Sequence, residues 1–364
     1  MRIGLLIYGS LVNQSGGYLY DRMLVEHLEA AGDQVEVISL AEGNYLRHLG
    51  DNLSRSLRKQ LGELEVDLLL QDELNHPSLF QINYSLRKKI SYSIVSIVHH
   101  LRSSESHPGW QSPIYRWVER RYLESVEAFI FNSQTTQSVV ENMLAHQVPG
   151  IVAYPAGDRL AADLTLEEIV SRARQPGPLR LLFLGNVIPR KGLDLLLSSL
   201  ARVPRDQWSL DVVGSLEMDP FYARSVKRLV KRYGFDNQVK FYGFMGKEDL
   251  RRVMSDSQVL VVPSEYEGFG IAYLEGMGFG LPAIATTGGG AGEIISHGDD
   301  GYLIPTGDQD QLVYHLNLII GDRMLLARMS SAAREKYLQH PSWEQTTRKI
   351  RSFLMELRQS RATR

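Results

Sequence analysis

Cysteine is absent from all 364 residues. That excludes a disulfide framework, a cysteine-ligated zinc or iron–sulfur centre, and thiol catalysis. It fits a reducing compartment. Long apolar runs are absent too, since no stretch approaches the roughly 18 residues that a membrane span needs. Nor is there an excess of one charge sign: 40 basic residues face 42 acidic ones, for a net charge of −2. The overall charge therefore gives no reason to expect nucleic acid as a partner. No low-complexity segment or short repeat is seen. The N-terminal apolar stretch is too short for a signal peptide, and no cleavage pattern follows it. Ile3–Tyr8 reads instead as a first buried strand, in a chain expected to be cytoplasmic.

What is present is ordinary for a soluble enzyme, with 43% apolar and 23% charged residues. The length suggests two domains, at roughly 100–200 residues each. Short apolar runs alternate with longer amphipathic segments. Strand candidates in the first half are Ile3–Tyr8, Val35–Ser39, Val66–Leu70, Ile94–Val98 and Ala128–Phe131. In the second half they are Arg180–Leu184, Ser209–Val213, Val239–Tyr242, Gln258–Val262 and Ala283–Thr286. Such runs suit strands buried on both faces of a parallel sheet. Helical segments such as Tyr18–Ala31 and Leu193–Leu200 lie between them. The alternation predicts an α/β chain with two doubly wound domains. The Pro/Gly punctuation at Gln175–Pro178 places the boundary there. The expected division is 1–174, 175–342, and a C-terminal helix over 343–364 that could continue the second domain or cross back to the first. Two such domains would leave a cleft at the carboxyl ends of their sheets, where ligands bind.

The most informative stretch is Pro263-Ser-Glu-Tyr-Glu-Gly-Phe-Gly-Ile-Ala-Tyr-Leu-Glu275. It follows a strand, turns on Gly268 and Gly270, and enters a helix whose first amides form an anion site near Gly270 and Ile271. Glu275 lies one turn after Ile271 on the same helix face. It could accept hydrogen bonds from ribose hydroxyls beside a bound phosphate, and Glu267 points at the same mouth. Taken alone, the pair reads equally as a surface Glu, a tight turn and a helical Glu. Gly185-Asn-Val-Ile-Pro-Arg-Lys-Gly192 also joins a strand to a helix. It lacks the Gly-Lys-Ser/Thr ending of a Walker A loop. Lys191 there could meet an anionic leaving group or be a solvated lysine beside Arg190. Gly16-Gly17 sits after the first strand at a helix start, where the backbone approaches something closely or simply turns.

Together these segments resemble the retaining glycosyltransferases of family 4, which have the GT-B fold. The resemblance runs from Leu-Gly-Asn-Val-Ile-Pro-Arg-Lys-Gly through Val-Val-Gly-Ser at Gly214 and Val-Lys-Phe-Tyr-Gly-Phe at Phe244. It continues through the glutamate segment, Gly-Leu-Pro-Ala-Ile-Ala and Gly-Gly-Ala-Gly-Glu-Ile-Ile to Asp-Gly-Tyr-Leu-Ile. It covers roughly residues 178–305 with ordered motifs, and such a series is far more specific than any one of them. The first half matches loosely, through Gly16-Gly17, the Val-His-His after a strand, and Phe-Asn-Ser at 131–133.

The resemblance implies roles. Glu267 contacts the donor sugar and Glu275 the ribose. The amides of Phe269, Gly270 and Ile271 hold sugar hydroxyls and the diphosphate, and Lys191 clamps the diphosphate. Phe244 and its neighbours match the turn against the base, and Gly214 belongs to the same nucleotide-binding set. Gly16 and Gly17 match the loop that closes over the phosphate. His99, with His100 as its rival, matches a polar residue near the sugar's reacting carbon. Many relatives carry Arg where this chain has Asn186. Either that cation is missing here, or Arg190 replaces it.

The implied activity is retaining, metal-independent hexosyl transfer from a nucleoside-diphosphate sugar to a glycan or lipid-linked glycan. UDP is the expected nucleotide and glucose the expected sugar. The donor is a substrate, and no cofactor is expected. A sugar-nucleotide epimerase and an inactive nucleotide-sugar-binding subunit are the alternatives. Other features carry less. Asp308-Gln-Asp310 reads as a helix cap instead of a metal pair. Gly288–Gly290 lacks the last glycine of a dinucleotide fingerprint. His107, His297 and His340 lack ligand spacing and read as surface residues. Ser112–Ser125 reads as a helix with Ile114, Trp117, Val118 and Tyr122 along one core-facing side and Arg116 and Arg120 on the other. With Arg87–Lys89 it leaves peripheral contact with a membrane open.

Overall fold

The computed structural model describes residues 1–13, 15–105, 111–160 and 162–362. His107 lies outside the described residues. The chain divides into two compact units, Met1–Pro155 with Trp343–Arg364, and Ala156–Ser342.

The first unit begins with β1 (Arg2–Tyr8), α1 (Gly16–Ala30), β2 (Gln34–Leu40), α2 (Tyr45–Asp51) and α3 (Arg55–Gly62). Next come β3 (Leu68–Asp72), α4 (His76–Leu86), β4 (Ser93–Val98), α5 (Ser112–Leu123), β5 (Ala128–Phe131), α6 (Gln134–Leu144) and β6 (Gly150–Val152). All six strands are parallel, in the order β2-β1-β3-β4-β5-β6. The central strands β3, β4 and β5 are buried along their whole length, which accounts for their mostly apolar sequences. Hydroxyl caps start the helices: Ser15 accepts from the Tyr18 amide and Ser133 from the Thr136 amide. The chain leaves β1 toward β2 and returns to place β3 on the other side of β1. This unit therefore changes direction between β1 and β3, and the carboxyl ends of β1, β3 and β4 sit around that switch point.

The second unit opens with α7 (Leu166–Arg174), β7 (Leu179–Leu184), α8 (Leu193–Leu200), β8 (Trp208–Val213) and α9 (Pro220–Tyr233). It continues with β9 (Val239–Gly243), α10 (Lys247–Asp256), β10 (Val259–Val262), α11 (Ile271–Gly278), β11 (Ala283–Thr286), β12 (Gly301–Ile304), α12 (Gln309–Gly321) and α13 (Arg323–Gln339). Its six parallel strands run β12-β11-β10-β7-β8-β9, with the switch point between β7 and β10. The last helix, α14 (Trp343–Ala362), belongs to the first unit.

The boundary differs from the expected 174/175. Helix α7 is built into the second unit, because the Arg172 side chain donates to the carbonyls of Ser255, Phe279 and Gly280. The Pro/Gly break at Gln175–Pro178 is an ordinary turn from α7 into β7. The amphipathic side of α5 also divides differently. Val118 and Tyr122 are core residues, whereas Ile114 and Trp117 are 48% and 56% exposed. Two strands, β6 and β12, were not anticipated.

Candidate active site

The two loops that flank the second sheet's switch point meet at one carboxylate. The loop after β7 carries Lys191, and the loop after β10 carries Glu267. Lys191 Nζ donates to Glu267 Oε1 at 2.5 Å, and the Ser264 hydroxyl donates to the same oxygen at 2.5 Å. Arg190 Nη1 lies 3.8 Å from Glu267 Oε2 and donates to the Tyr266 carbonyl at 2.5 Å. Glu267 is 8% exposed. Burial alone would raise its pKa, but Lys191 and Arg190 outweigh that and hold the carboxyl below its ordinary value. The backbone is fixed as well: the Glu267 amide donates to Gly288 O, and the Gly290 amide donates to Glu267 O.

Helix α11 starts four residues later. Gly270 is its N-cap with φ +105°, and a Cβ there would meet the Tyr273 ring at 2.5 Å. Only glycine takes that turn easily. The first α11 amides have no acceptor within the helix, so this end favours anions. Glu275 is one turn inside and buried. Arg159 grips it with two guanidinium nitrogens, Nε to Oε1 and Nη2 to Oε2 at 3.2 Å. No motif marks Arg159, which sits in a 3-10 turn 116 residues from Glu275.

Asn186 does not point away as a spare side chain. Its Oδ1 accepts from the Ser215 amide at 3.3 Å, tying the β7 loop to the β8 loop. Gly214 makes that junction possible. A Cβ there would lie 1.9 Å from the Gly185 carbonyl oxygen, so no larger residue fits without moving the loop. Phe269 is buried, with its ring 5.9 Å from that of His340, so His340 is a packing residue instead of a surface one. Phe244 is 62% exposed at the turn after β9. Asp308 caps α12 through the Gln311 amide, and Asp310 pairs with Arg202 at 2.6 Å. His297 is exposed and holds Leu303.

In the first unit the structure brings His99 to Gly17 and leaves His100 elsewhere. A Cβ on Gly17 would meet the His99 ring at 3.0 Å, and Gly16 is the first residue of α1. The buried His99 Nε2 lies 3.2 Å from Asp21 Oδ1 on the same helix. Asp72, at the end of β3, is buried close by. Burial would lower the His99 pKa, but Asp21, Asp72 and Glu73 overcome it and lift it to about 9. The Asp21 contact thus favours the protonated imidazole. His100 instead pairs with Glu105 at 3.0 Å. Asp21 and Asp72 carried no sequence signal, because their partners are far along the chain.

Comparison with known proteins bears on these two units. Residues 166–336, lying within the second unit, match the family model for glycosyl transferases group 1. The likeness to the group 1 glycosyl transferases is carried by this segment of the second unit. The chain is 27% identical over 272 residues to a GDP-mannose-dependent alpha-(1-6)-phosphatidylinositol monomannoside mannosyltransferase of Mycobacterium tuberculosis. That match covers 70% of this chain and 69% of the relative. An uncharacterized glycosyltransferase of Methanocaldococcus jannaschii is 27% identical over 165 residues, spanning 45% of this chain but only 41% of the relative. Among solved structures, sucrose-phosphate synthase from Thermosynechococcus elongatus has a TM-score of 0.83 at 21% identity and covers 98% of both chains. Anabaena HepE in complex with UDP-glucose has a TM-score of 0.79 at 20% identity, covering 98% of this chain and all of that one. The chain has the GT-B fold class, with two doubly wound α/β units.

Proposed function

We propose that the protein is a retaining, metal-independent hexosyltransferase. It moves a sugar, glucose in the first instance, from a UDP-sugar to a hydroxyl of a glycan or lipid-linked glycan. One observation carries the proposal: Lys191, Arg190 and Ser264 converge on Glu267 at the second sheet's switch point, with the Arg159-held Glu275 one turn inside the adjoining helix.

Breaking the anomeric bond leaves negative charge on the diphosphate and oxocarbenium character on the sugar. Lys191, Arg190 and the start of α11 stabilise the first, the task a divalent ion performs in other transferases. This assigns to Arg190 the charge that Asn186 cannot supply. Glu267 faces the flattening sugar ring, and Glu275 accepts from the ribose hydroxyls. Gly214, Phe244, Phe269, Gly270 and Ile271 complete the nucleotide-sugar set. For the first unit, taken by itself, the proposed roles are a phosphate contact for Gly16 and Gly17 and a sugar contact for His99. The leaving phosphate helps deprotonate the acceptor on the same face, so configuration is retained. We further propose that Ile114 and Trp117 on α5 give the enzyme a peripheral foothold on the cytoplasmic membrane face, where a lipid-linked acceptor would be presented.

Thermal denaturation with UDP, GDP and ADP and their sugars tests the donor, because a ligand that binds only the folded state raises Tm. UDP and UDP-glucose should stabilise most. Preference for GDP, the nucleotide named for the mycobacterial relative, would overturn UDP. No response to any nucleotide would overturn the transferase reading. Proton NMR of the product settles configuration, and an inverted anomeric centre would refute retention. An isomerised sugar nucleotide formed without acceptor would identify an epimerase instead.

A further inference from the structure

His99 stands one residue past the end of β4 and packs against the start of α1. Gly17 and Asp21 are four residues apart, so they share one face of that helix. Gly17 lets the ring come close, since a Cβ there would lie 3.0 Å from His99 Cδ2. Tyr20 meets the ring edge to face, with centroids 5.3 Å apart. The fully buried Asp21 places Oδ1 3.2 Å from His99 Nε2. After β5, Asn132 Nδ2 donates to the His99 carbonyl at 2.8 Å, and Asn132 Oδ1 accepts from the Thr136 hydroxyl at 2.7 Å. Backbone, ring and one ring nitrogen of His99 are all held.

These contacts do different things. An imidazole and its flipped form have nearly the same outline, so packing against Gly17 and Tyr20 cannot choose between them. A hydrogen bond can. With Nε2–H donating to Asp21, a flip would set Cε1 against the carboxylate and lose the bond. Asp21 therefore decides which nitrogen is engaged and which is left for a ligand. Among the described residues Nδ1 makes no hydrogen bond.

The arrangement is costly for the fold alone. Asp21 Oδ2 is buried without a hydrogen-bond partner. One oxygen each of Asp21 and Asp72 and one nitrogen of His99 lie within 4.8 Å of one another. Two carboxylates buried together destabilise a fold unless a positive charge joins them. The His99 ring can be that charge, because Asp21 first, then Asp72 and Glu73, favour its protonated form. In that form Nδ1–H is a donor.

We propose that Asp21 is the positioning residue for His99: by accepting from Nε2 it leaves Nδ1–H as the donor to a hydroxyl oxygen of the transferred sugar. Asp21 touches no substrate and acts through the imidazole. Its role rests on the sugar contact proposed above for His99. The contact orients the sugar for transfer, so its loss lowers turnover while free UDP binds as before.

The test uses protein labelled with nitrogen-15 histidine, with the His99 signals identified by their loss in His99→Gln. Long-range proton–nitrogen spectra of the wild type should show Nε2 protonated on both sides of a titration midpoint above the ordinary 6.5. Adding UDP-glucose should move the Nδ1 signal and leave Nε2 nearly unchanged. Asp21→Asn keeps the shape and removes the charge. Its His99 midpoint should fall by about one pH unit or more, and Asp72→Asn should lower it less. Glu73 faces the ring in both variants. In Asp21→Asn, kcat for UDP release from UDP-glucose, with water as acceptor, should fall about tenfold or more. The alkaline limb of that rate should move down with the midpoint, and calorimetry should find UDP affinity unchanged. Normal release by His99→Gln would remove the sugar contact itself, and the role of Asp21 with it. Slowed release by His99→Gln beside normal release by Asp21→Asn would overturn the role of Asp21 alone. So would an unmoved midpoint in Asp21→Asn, or an equal fall in Asp72→Asn. Should Asp21→Asn fail to fold, the wild-type spectra decide. A neutral His99 protonated on Nδ1, or a UDP-glucose response confined to Nε2, overturns the proposal.

Discussion

Lys191 and Glu267 share a 2.5 Å ion pair, although they stand 76 residues apart on loops from different strands. The pair keeps both charges in place in a nearly buried site. Lys191→Ala should cost about 2–4 kcal/mol of transition-state stabilisation, the scale of one lost oxyanion donor. Steady-state kinetics should record a fall in kcat/KM of about 30- to 900-fold. Rates within twofold of wild type would make Lys191 a bystander. Arg190→Ala, measured in parallel, tells whether Arg190 does the work that Asn186 cannot.

The two glutamates should separate by phenotype. A ribose contact exists in ground and transition states alike, so Glu275→Ala should weaken UDP itself. On the proposed reading Glu267 faces the sugar and its contact strengthens as charge develops, so Glu267→Ala should lose turnover and bind UDP almost normally. Calorimetry with UDP beside kinetics decides it. Equal losses of UDP affinity in both variants would overturn the assignment.

Arg159 should matter through Glu275. Removing Arg159 leaves a buried carboxylate without its bidentate partner, which destabilises the fold and misorients the ribose acceptor. A double-mutant cycle of Arg159→Ala and Glu275→Gln, read by chemical denaturation, should give a coupling of about 1–3 kcal/mol. Additive effects would show that the contact contributes little. Arg159→Lys should rescue charge but not the two-point grip, leaving UDP affinity below wild type.

His99 predicts a pH dependence of known sign. Its folded pKa of about 9 lies above the ordinary 6.5, so the stability it contributes is fully present below pH 6.5 and is lost as pH rises through 9. The buried Asp72, pushed up to about 8 by burial and Asp21, drives the trend the same way. Urea denaturation across that range should therefore show falling stability. His99→Gln should flatten the slope without reversing it. His99→Gln should also lower turnover while sparing UDP affinity, and an unchanged slope and rate would remove His99 from the site.

Sedimentation with vesicles tests α5. Vesicles containing anionic lipid should carry wild-type protein down, and Ile114→Ser with Trp117→Ser should leave it in solution while thermal stability stays within the small range of surface substitutions. Equal sedimentation of both proteins would place any membrane contact elsewhere.

Most of the architecture was legible because central strands write themselves as unbroken apolar runs. Phe129–Phe131 and Val259–Val262 are buried on both faces and could hardly be anything else. Two strands escaped for opposite reasons. Gly150–Val152 is short and half-buried at a sheet edge, and Gly301–Ile304 begins with a glycine in a loop-like context. The site was legible where chemistry sits in one contiguous loop, as for Glu267, Gly270 and Glu275. It was illegible where a side chain arrives from elsewhere. Arg159 and Asp21 reveal themselves only through partners that the fold brings near. Trp117 was misplaced because helical periodicity marks an apolar side without saying what covers it. The domain boundary was misplaced because Pro and Gly mark turns inside a domain as readily as links between domains.

The first unit is closed by residues from the far end of the sequence. Trp343 packs edge-on to Tyr20 at 5.5 Å, Ile350 and Leu354 are buried, and Arg351 pairs with Asp33 at 2.6 Å. Lys349 and Arg361 donate to the carbonyls of Val152 and Ile90. The second unit is thus an insertion within the first. On a ribosome, the domain begun first is the one finished last: its open face must wait while about half the protein is synthesised and folds ahead of it. A nascent chain stalled before Trp343 would hold a completed second unit and an unfinished first one, so a chaperone would be expected to linger on the older half.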